Sequence, residues 1–182
     1  MPNYAQLVRD NVLAAPSVRG IRIVGIDGPS GAGKSTFARQ LASRLHAPVI
    51  AIDDFVSWNN FAGWWPRFDQ QVLDPLLQGK PAHYQQRDWD GDEFGDSLGA
   101  WATVEWSPIV LVEGVTCTRS DSVGKLAYAV WVDAPEEERL RRGIERDGEG
   151  HRGLWNRWMD EESRFFASDH TRERANLTVP GT

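Results

Sequence analysis

The run Gly28-Pro29-Ser30-Gly31-Ala32-Gly33-Lys34-Ser35 constrains this chain more than any other. It fits G-x-x-x-x-G-K-[ST], a loop whose glycines let successive backbone N–H groups turn toward one point where a Cβ would obstruct. Residues 21–26 (IRIVGI) precede it with the β-branched character of a buried strand, and 33–46 follow it with the pattern of a helix. Strand, glycine loop and helix in that order put the positive end of a helix dipole at the loop. Such a loop cradles the phosphates of a nucleotide. Gly28 through Ser35, with Thr36 behind, are the expected ATP-binding residues. Lys34 supplies a point charge to the β- and γ-phosphates, and Ser35 a hydroxyl to Mg²⁺.

Further strands are expected at 48–53 (PVIAID), 109–115 (IVLVEGV), 128–133 (YAVWVD) and 176–179 (NLTV), with helices at 3–14, 69–78, 135–147 and 154–167. Pro75 must sit near a start or a kink of the third of these five helices, counting 33–46 as the second. Strands alternating with helices mean right-handed crossovers and a mostly parallel five-stranded sheet covered on both faces. The expected fold is therefore the α/β/α three-layer class of P-loop NTPases, in one domain spanning 1–182. Residues 80–107 interrupt the alternation with spaced aromatics and glycines and read as a hairpin or lid-like insertion. A second mobile segment is expected at about 142–155, where Gly148, Gly150 and Gly153 offer hinge points.

Acids fall where open α/β sheets bind ligands, just beyond the carboxyl ends of strands. Asp53 and Asp54 follow the second strand, and one of them can accept a proton from an attacking hydroxyl or help hold Mg²⁺. Glu113 ends the third strand and can bind Mg²⁺ directly or through water. Arg139, Arg141, Arg142 and Arg146 form a basic cluster in which Arg142 and Arg146 share a helix face, with Glu138 placed to pair with Arg142 at i,i+4. Most of these arginines suit a solvated face. One or two, at Arg142 or Arg146, can neutralise charge on a transferred phosphoryl group.

Other classes are disfavoured. A chain of 182 residues with a formal net charge of −6 has no basic excess for a nucleic acid. A single cysteine, Cys117, calls for no oxidising compartment. The first residues, MPNYAQLVRD, lack the pattern of a secretory leader, and no apolar run is long enough for a membrane span. A cytoplasmic enzyme without membrane or nucleic-acid partners is expected. The guanine-reading N-K-x-D motif of a GTPase switch is absent.

The order GPSGAGKS, IDDF, RFDQQVLD, LVEGV, VWVDAPEEERLRRGIERD resembles the uridine kinase branch of P-loop kinases, whose relatives include phosphoribulokinase and pantothenate kinase. The resemblance implies transfer of the γ-phosphoryl group of ATP, with Mg²⁺, to a hydroxyl of a small molecule. The family's D-S-F-Y falls on Asp53-Asp54-Phe55-Val56, which implies Asp53 as the catalytic acid. Its F-D-H-P falls on Phe68-Asp69-Gln70-Gln71, which implies Asp69 as a ligand of acceptor hydroxyls. Its lid pattern falls on Arg142 to Asp147, with Gly143 where an arginine is usual unless the pair is Arg141-Arg142. The stretch corresponding to its pyrimidine-reading hairpin offers His83, Tyr84 and Trp89. The catalytic half matches better than the acceptor half. A nucleoside, another sugar, a pantothenate-like alcohol or an antibiotic hydroxyl all remain open as acceptors, as does a regulatory ATPase with none.

Nine tryptophans require places. Trp131 reads as core, and Trp155 and Trp158 share a helix face of core character. Trp58, Trp64 and Trp65 lie between the two proposed substrate acids, and Trp89, Trp101 and Trp106 in the insertion. Any of these six could stack on an acceptor.

Overall fold

The computed structural model describes residues 3–181. Helix α1 (Tyr4–Ala14) is capped by the Asn3 side chain and leads to β1 (Arg22–Asp27). After the glycine loop comes α2 (Lys34–Leu45), then β2 (Val49–Ala51), which closes in a 3-10 turn at Ile52–Asp54. Two short helices, α3 (Trp65–Phe68) and α4 (Asp74–Leu77), are joined by a π-helical turn, Asp69–Leu73. Strands β3 (Ala82–Arg87) and β4 (Leu98–Val104) form an antiparallel hairpin. Next come β5 (Ile109–Glu113), β6 (Tyr128–Asp133), α5 (Glu136–Asp147), α6 (Arg152–Asp169), α7 (Thr171–Arg174) and β7 (Leu177–Pro180).

Five strands make one sheet in the order β2-β5-β1-β6-β7, every pair parallel. This is the α/β P-loop architecture expected, with all five expected strands in it. Parallel strands buried on both faces read as short apolar runs, and β1 and β5 are almost wholly buried. One core, on the α1–α2 face, contains Val8, Val12, Leu41, Leu111 and Val130. The other gathers Phe55, Trp64, Phe68, Leu73, Leu76 and Tyr84 from the 3-10 turn, the α3–α4 run and β3. Trp64 and Trp65 are thus core residues, as is Trp131, while Trp101 and Trp106 are exposed.

The helix expected at 69–78 starts earlier, at Trp65, and contains the π turn. Pro75 has no N–H, and its ring would crowd the carbonyl four residues back in a regular helix. The wider turn, in which the Asp74 N–H reaches the Asp69 carbonyl, makes room ahead of it. Among the described residues no helix is long and apolar enough to cross a membrane.

Candidate active site

A cleft of about 700 Å³ opens over the carboxyl ends of β1, β2 and β5. Its floor is the phosphate loop, where Gly31 and Gly33 hold φ of 76° and 97°, and Gly28 φ of 137°. Tight packing adds to the demand for glycine. A Cβ on Gly28 would lie 2.2 Å from the Val132 carbonyl oxygen, and one on Gly31 would lie 2.6 Å from that of Arg139.

The loop's amides divide into two sets. Gly28 N–H donates to Asp27 Oδ1 at 2.7 Å, Ser30 N–H to Glu162 Oε1 at 2.7 Å and Ala32 N–H to the Pro29 carbonyl at 3.2 Å. These three amides are satisfied within the protein. Gly28, Pro29 and Ala32, expected among the phosphate ligands, do not line the cleft, because their polar groups serve to shape the loop. Ser30, Gly31, Gly33, Lys34, Ser35 and Thr36 do line it. Of these, Lys34 to Thr36 are the first turn of α2, whose N–H groups have no intrahelical acceptor. Lys34 is buried, and its Nζ donates to the Pro29 carbonyl at 3.0 Å.

Two carboxylates face the loop. Asp53 lines the cleft from the 3-10 turn, and its carbonyl accepts from Trp89 Nε1 at 2.8 Å. Asp54 turns the other way, accepting from the Tyr84 hydroxyl and Gln86 Nε2, each at 3.1 Å. Burial pushes the Asp54 carboxyl up, and burial with Asp54 beside it pushes the Tyr84 hydroxyl up. Glu113 is buried at the end of β5, and its Oε2 has no hydrogen-bond partner. Burial pushes its carboxyl up against the pull of Lys34, and Asp53 adds to the rise. An orphaned carboxylate oxygen beside Ser35 and Asp53 fits Mg²⁺. This ion takes one or two carboxylates and otherwise water and phosphate oxygens. Among the described residues no three His, Cys, Asp or Glu side chains form a metal-holding group, so phosphates and water would complete its shell.

Opposite stand α5 and α6. Arg142 donates to the Gly31 carbonyl at 3.2 Å and pairs with Glu138 at 2.9 Å. Arg146 pairs with Asp147 through contacts of 2.7 and 2.9 Å and also lines the cleft. Arg141 instead lies on the exposed face with Glu138 and Glu145. Gly143 has a packing reason: a Cβ there would lie 2.3 Å from Trp155 Cε2. The indole takes the space a side chain at 143 would need.

The cleft is also lined by Val56, Trp58, Trp89, Trp155 and Trp158 with Glu93, Asp147 and His151. Trp58 packs edge-on to Trp155 and Trp158, at 6.3 and 5.4 Å between ring centroids. His151 Nε2 meets Glu93 Oε1 at 2.6 Å, joining the hairpin loop to the start of α6, and this contact raises the imidazole above its ordinary value.

Three expected acceptor residues are elsewhere. Asp69 pairs with Lys125 in the β5–β6 connection, at the start of the π turn that carries Val72 and Leu73 into the core. His83 lies on the outer face of the hairpin, stacked on Trp101 at 4.6 Å and bonded to Thr103 Oγ1 at 2.9 Å. Tyr84, on the opposite face, is 4% exposed and packs against Phe55. The period-2 alternation of β3 sends neighbouring side chains to opposite faces, and neither lines the cleft. Trp89 does line it, with the Arg87 guanidinium 3.7 Å over its ring.

Residues the sequence reasoning missed are Asp27, Glu93, Asp147, His151 and Glu162. Asp27 is fully buried and accepts four bonds, from Gly28 N–H, Thr116 N–H, Thr118 N–H and the Thr118 hydroxyl, at 2.7–2.9 Å. Its position ending β1 directly before the loop was the available signal. The others lie on helices or loops as ordinary charged residues and carry no local signature.

Fold and loop together define a P-loop nucleotide-binding protein of the kinase architecture. The chain matches the AAA domain family over residues 24–164 and belongs to that family. Among solved structures it is similar to a possible uridine kinase from Bacillus stearothermophilus. The identity is 21%, 96% of each chain is covered, and the TM-score is 0.72. It is also similar to a candidate fructose transport system kinase from Silicibacter sp. TM1040, at 20% identity over 99% of this chain and 100% of that one, with a TM-score of 0.73. Shikimate kinase from Acinetobacter baumannii is a more distant likeness, at 15% identity over 90% of this chain and 86% of that one, with a TM-score of 0.51. The uridine kinase-like P-loop fold implied by the sequence motifs is the fold these proteins share. No curated protein matches the sequence at a significant level.

Proposed function

We propose that the chain transfers the γ-phosphoryl group of ATP to a hydroxyl of a small uncharged molecule with a flat face, in the manner of uridine kinase. Nucleosides are the first acceptors to test. The observation that carries this reading is the position of Asp53. It lines one cleft together with the phosphate loop and the indoles of Trp58, Trp89, Trp155 and Trp158, and its carbonyl accepts from Trp89 Nε1. A pure nucleotide switch has no use for such an indole lining, which weighs against a regulatory ATPase.

Asp53 takes the proton of the acceptor hydroxyl as its oxygen attacks the γ-phosphorus, and ADP leaves with the bridging oxygen. Lys34, with Arg142 or Arg146, neutralises charge on the transferring group. Ser35, with help from Glu113 or Asp53, would hold Mg²⁺, which when bound screens the phosphate charge. The indoles of Trp58 and Trp89 offer faces for a sugar or a planar ring.

Charge narrows the acceptor further. Two cations of the cleft are already engaged, Arg146 by Asp147 and His151 by Glu93. A phosphate- or carboxylate-bearing acceptor would meet the unpaired Asp53, while Lys34 serves the donor phosphates and Arg142, Arg146 and His151 each already face a carboxylate. A pantothenate-like acid is therefore disfavoured against a nucleoside, a neutral sugar or a neutral antibiotic hydroxyl. ADP release from Mg·ATP, measured across a panel of nucleosides, sugars, polyols and their phosphorylated or carboxylated counterparts, tests this. Stimulation is expected from neutral members only and is lost in Lys34→Ala. Stimulation confined to anionic members, or turnover unchanged in Lys34→Ala, would contradict it.

A further inference from the structure

We infer that Glu162 of α6 is a positioning residue for the phosphate loop: a buried carboxylate that holds Ser30 so that the neighbouring amides face the nucleotide. The inference rests on the reading of the cleft as an ATP site and is independent of the acceptor.

Glu162 is 1% exposed, an unusual place for a carboxylate on the middle of a helix. Its Oε1 accepts from the Ser30 N–H at 2.7 Å and from Trp158 Nε1 at 2.9 Å. Its Oε2 lies 3.3 Å from Arg139 Nη1, which also reaches the Ser30 carbonyl at 3.4 Å. Trp158 Nε1 is also 2.9 Å from Ser30 Oγ. All three polar atoms of Ser30 are therefore held by α5 and α6. One residue on, Arg142 takes the Gly31 carbonyl.

The consequence is directional. A loop rich in glycine at positive φ has many competing conformations, and fixing each residue costs backbone entropy. Asp27 anchors the amide at Gly28, and Glu162 anchors the one at Ser30, two residues further along. Arg139, itself held by Glu162, reaches the Ser30 carbonyl and so orients the peptide between Ser30 and Gly31, which leaves Gly31 N–H for the phosphates. Arg139 offsets the carboxylate's charge, so the clasp does not confront the nucleotide with a bare anion. Because the clasp sits on the two helices that wall the cleft, the shape of the loop and the seat of Arg142 are set together.

The test is the affinity of the whole protein for Mg²⁺ with a non-hydrolysable ATP analogue, and for AMP. It uses titration calorimetry on wild type, Glu162→Gln, Glu162→Ala and Trp158→Phe, at a temperature where circular dichroism shows each folded. Gln keeps an acceptor for Ser30 but leaves Arg139 unpaired, so the analogue binds about tenfold more weakly, the size of one charge-assisted hydrogen bond. Ala loses more than Gln, Phe at 158 loses a few-fold, and AMP is affected least. A merely structural Glu162 would lower the melting temperature and leave the ratio of analogue to AMP affinity unchanged. Glu162→Gln and Trp158→Phe binding the analogue within twofold of wild type would overturn the inference. Failure of wild type to bind the analogue would instead remove the ATP-site reading itself.

Discussion

Replacing Gly143 by alanine should destabilise this protein, although the same exchange in an ordinary helix stabilises. An exposed mid-helix Gly→Ala gains about 0.5–1 kcal/mol, because glycine gives up more backbone entropy on folding. At Gly143 the added methyl would stand 2.3, 2.4 and 2.6 Å from Cε2, Cζ2 and Cδ2 of Trp155. Real side chains do not approach so closely, so the indole or α5 must move. Trp155 is 2% exposed and tied through Nε1 to Asp147 Oδ2 at 2.9 Å, and its ring packs against Trp58. It has little room to turn. Overpacking a well-filled site costs about 1–3 kcal/mol. After the helix gain, a net loss of up to about 2.5 kcal/mol remains, about 1 kcal/mol at mid-range. For a chain of this size each kcal/mol moves Tm by about 2–4 °C, so a fall of about 2–4 °C is expected at mid-range. Differential scanning calorimetry of wild type and Gly143→Ala reads it. A rise in Tm would refute the argument that the Trp155 indole is what requires glycine there.

Other outcomes follow from the buried and paired charges. In Glu113→Gln the apoprotein should melt higher at neutral pH while Mg²⁺-dependent turnover falls. The sign follows from the raised carboxyl. As pH climbs past the ordinary value of 4.5, the unfolded chain ionises first, so this group's contribution to apoprotein stability is lost up to its folded value, and Gln removes that loss. A Glu113→Gln variant that melts lower in a scanning experiment at pH 7 would contradict this. The His151 imidazole, raised by Glu93, should titrate above the ordinary histidine value by NMR and return toward it in Glu93→Gln. Its pairing favours the folded state below the ordinary value and is lost as pH rises through the folded one. An unmoved titration in that variant would mean that the contact does not persist in solution.

Much of the fold was legible because its signals are local. Parallel strands buried on two faces appear as uninterrupted apolar runs, and the glycine loop appears as fixed spacing. Asp53 was legible for the same reason, since a carboxylate just past a strand end needs only the strand to be found. The acceptor side was not, because it depends on which way helices and hairpins turn. Asp69 sits at a π turn demanded by Pro75 six residues on, and that turn sets where its carboxylate goes. His83 and Tyr84 are neighbours on a strand, and only the packing of the hairpin on Phe55 decides which of them faces inward. Glu162 lies in WMDEESRFF, where it looks like one of several solvated helix acids. What distinguishes it is the Ser30 amide 132 residues earlier in sequence, a contact no local pattern can announce. Gly143, a departure from the family's lid pattern, becomes intelligible only beside Trp155.

The central claim is that one cleft brings ATP and a neutral hydroxyl to opposite sides of Asp53. It is tested most directly by phosphorus NMR of a reaction containing Mg·ATP and the best neutral acceptor. Wild type should convert the γ-phosphate into a phosphate monoester of the acceptor, one for each ADP formed. Asp53→Asn should slow that conversion by about 10²–10⁴-fold, the usual contribution of a general base. ADP appearing with free phosphate and no ester, or a monoester formed by Asp53→Asn at nearly the wild-type rate, would contradict it.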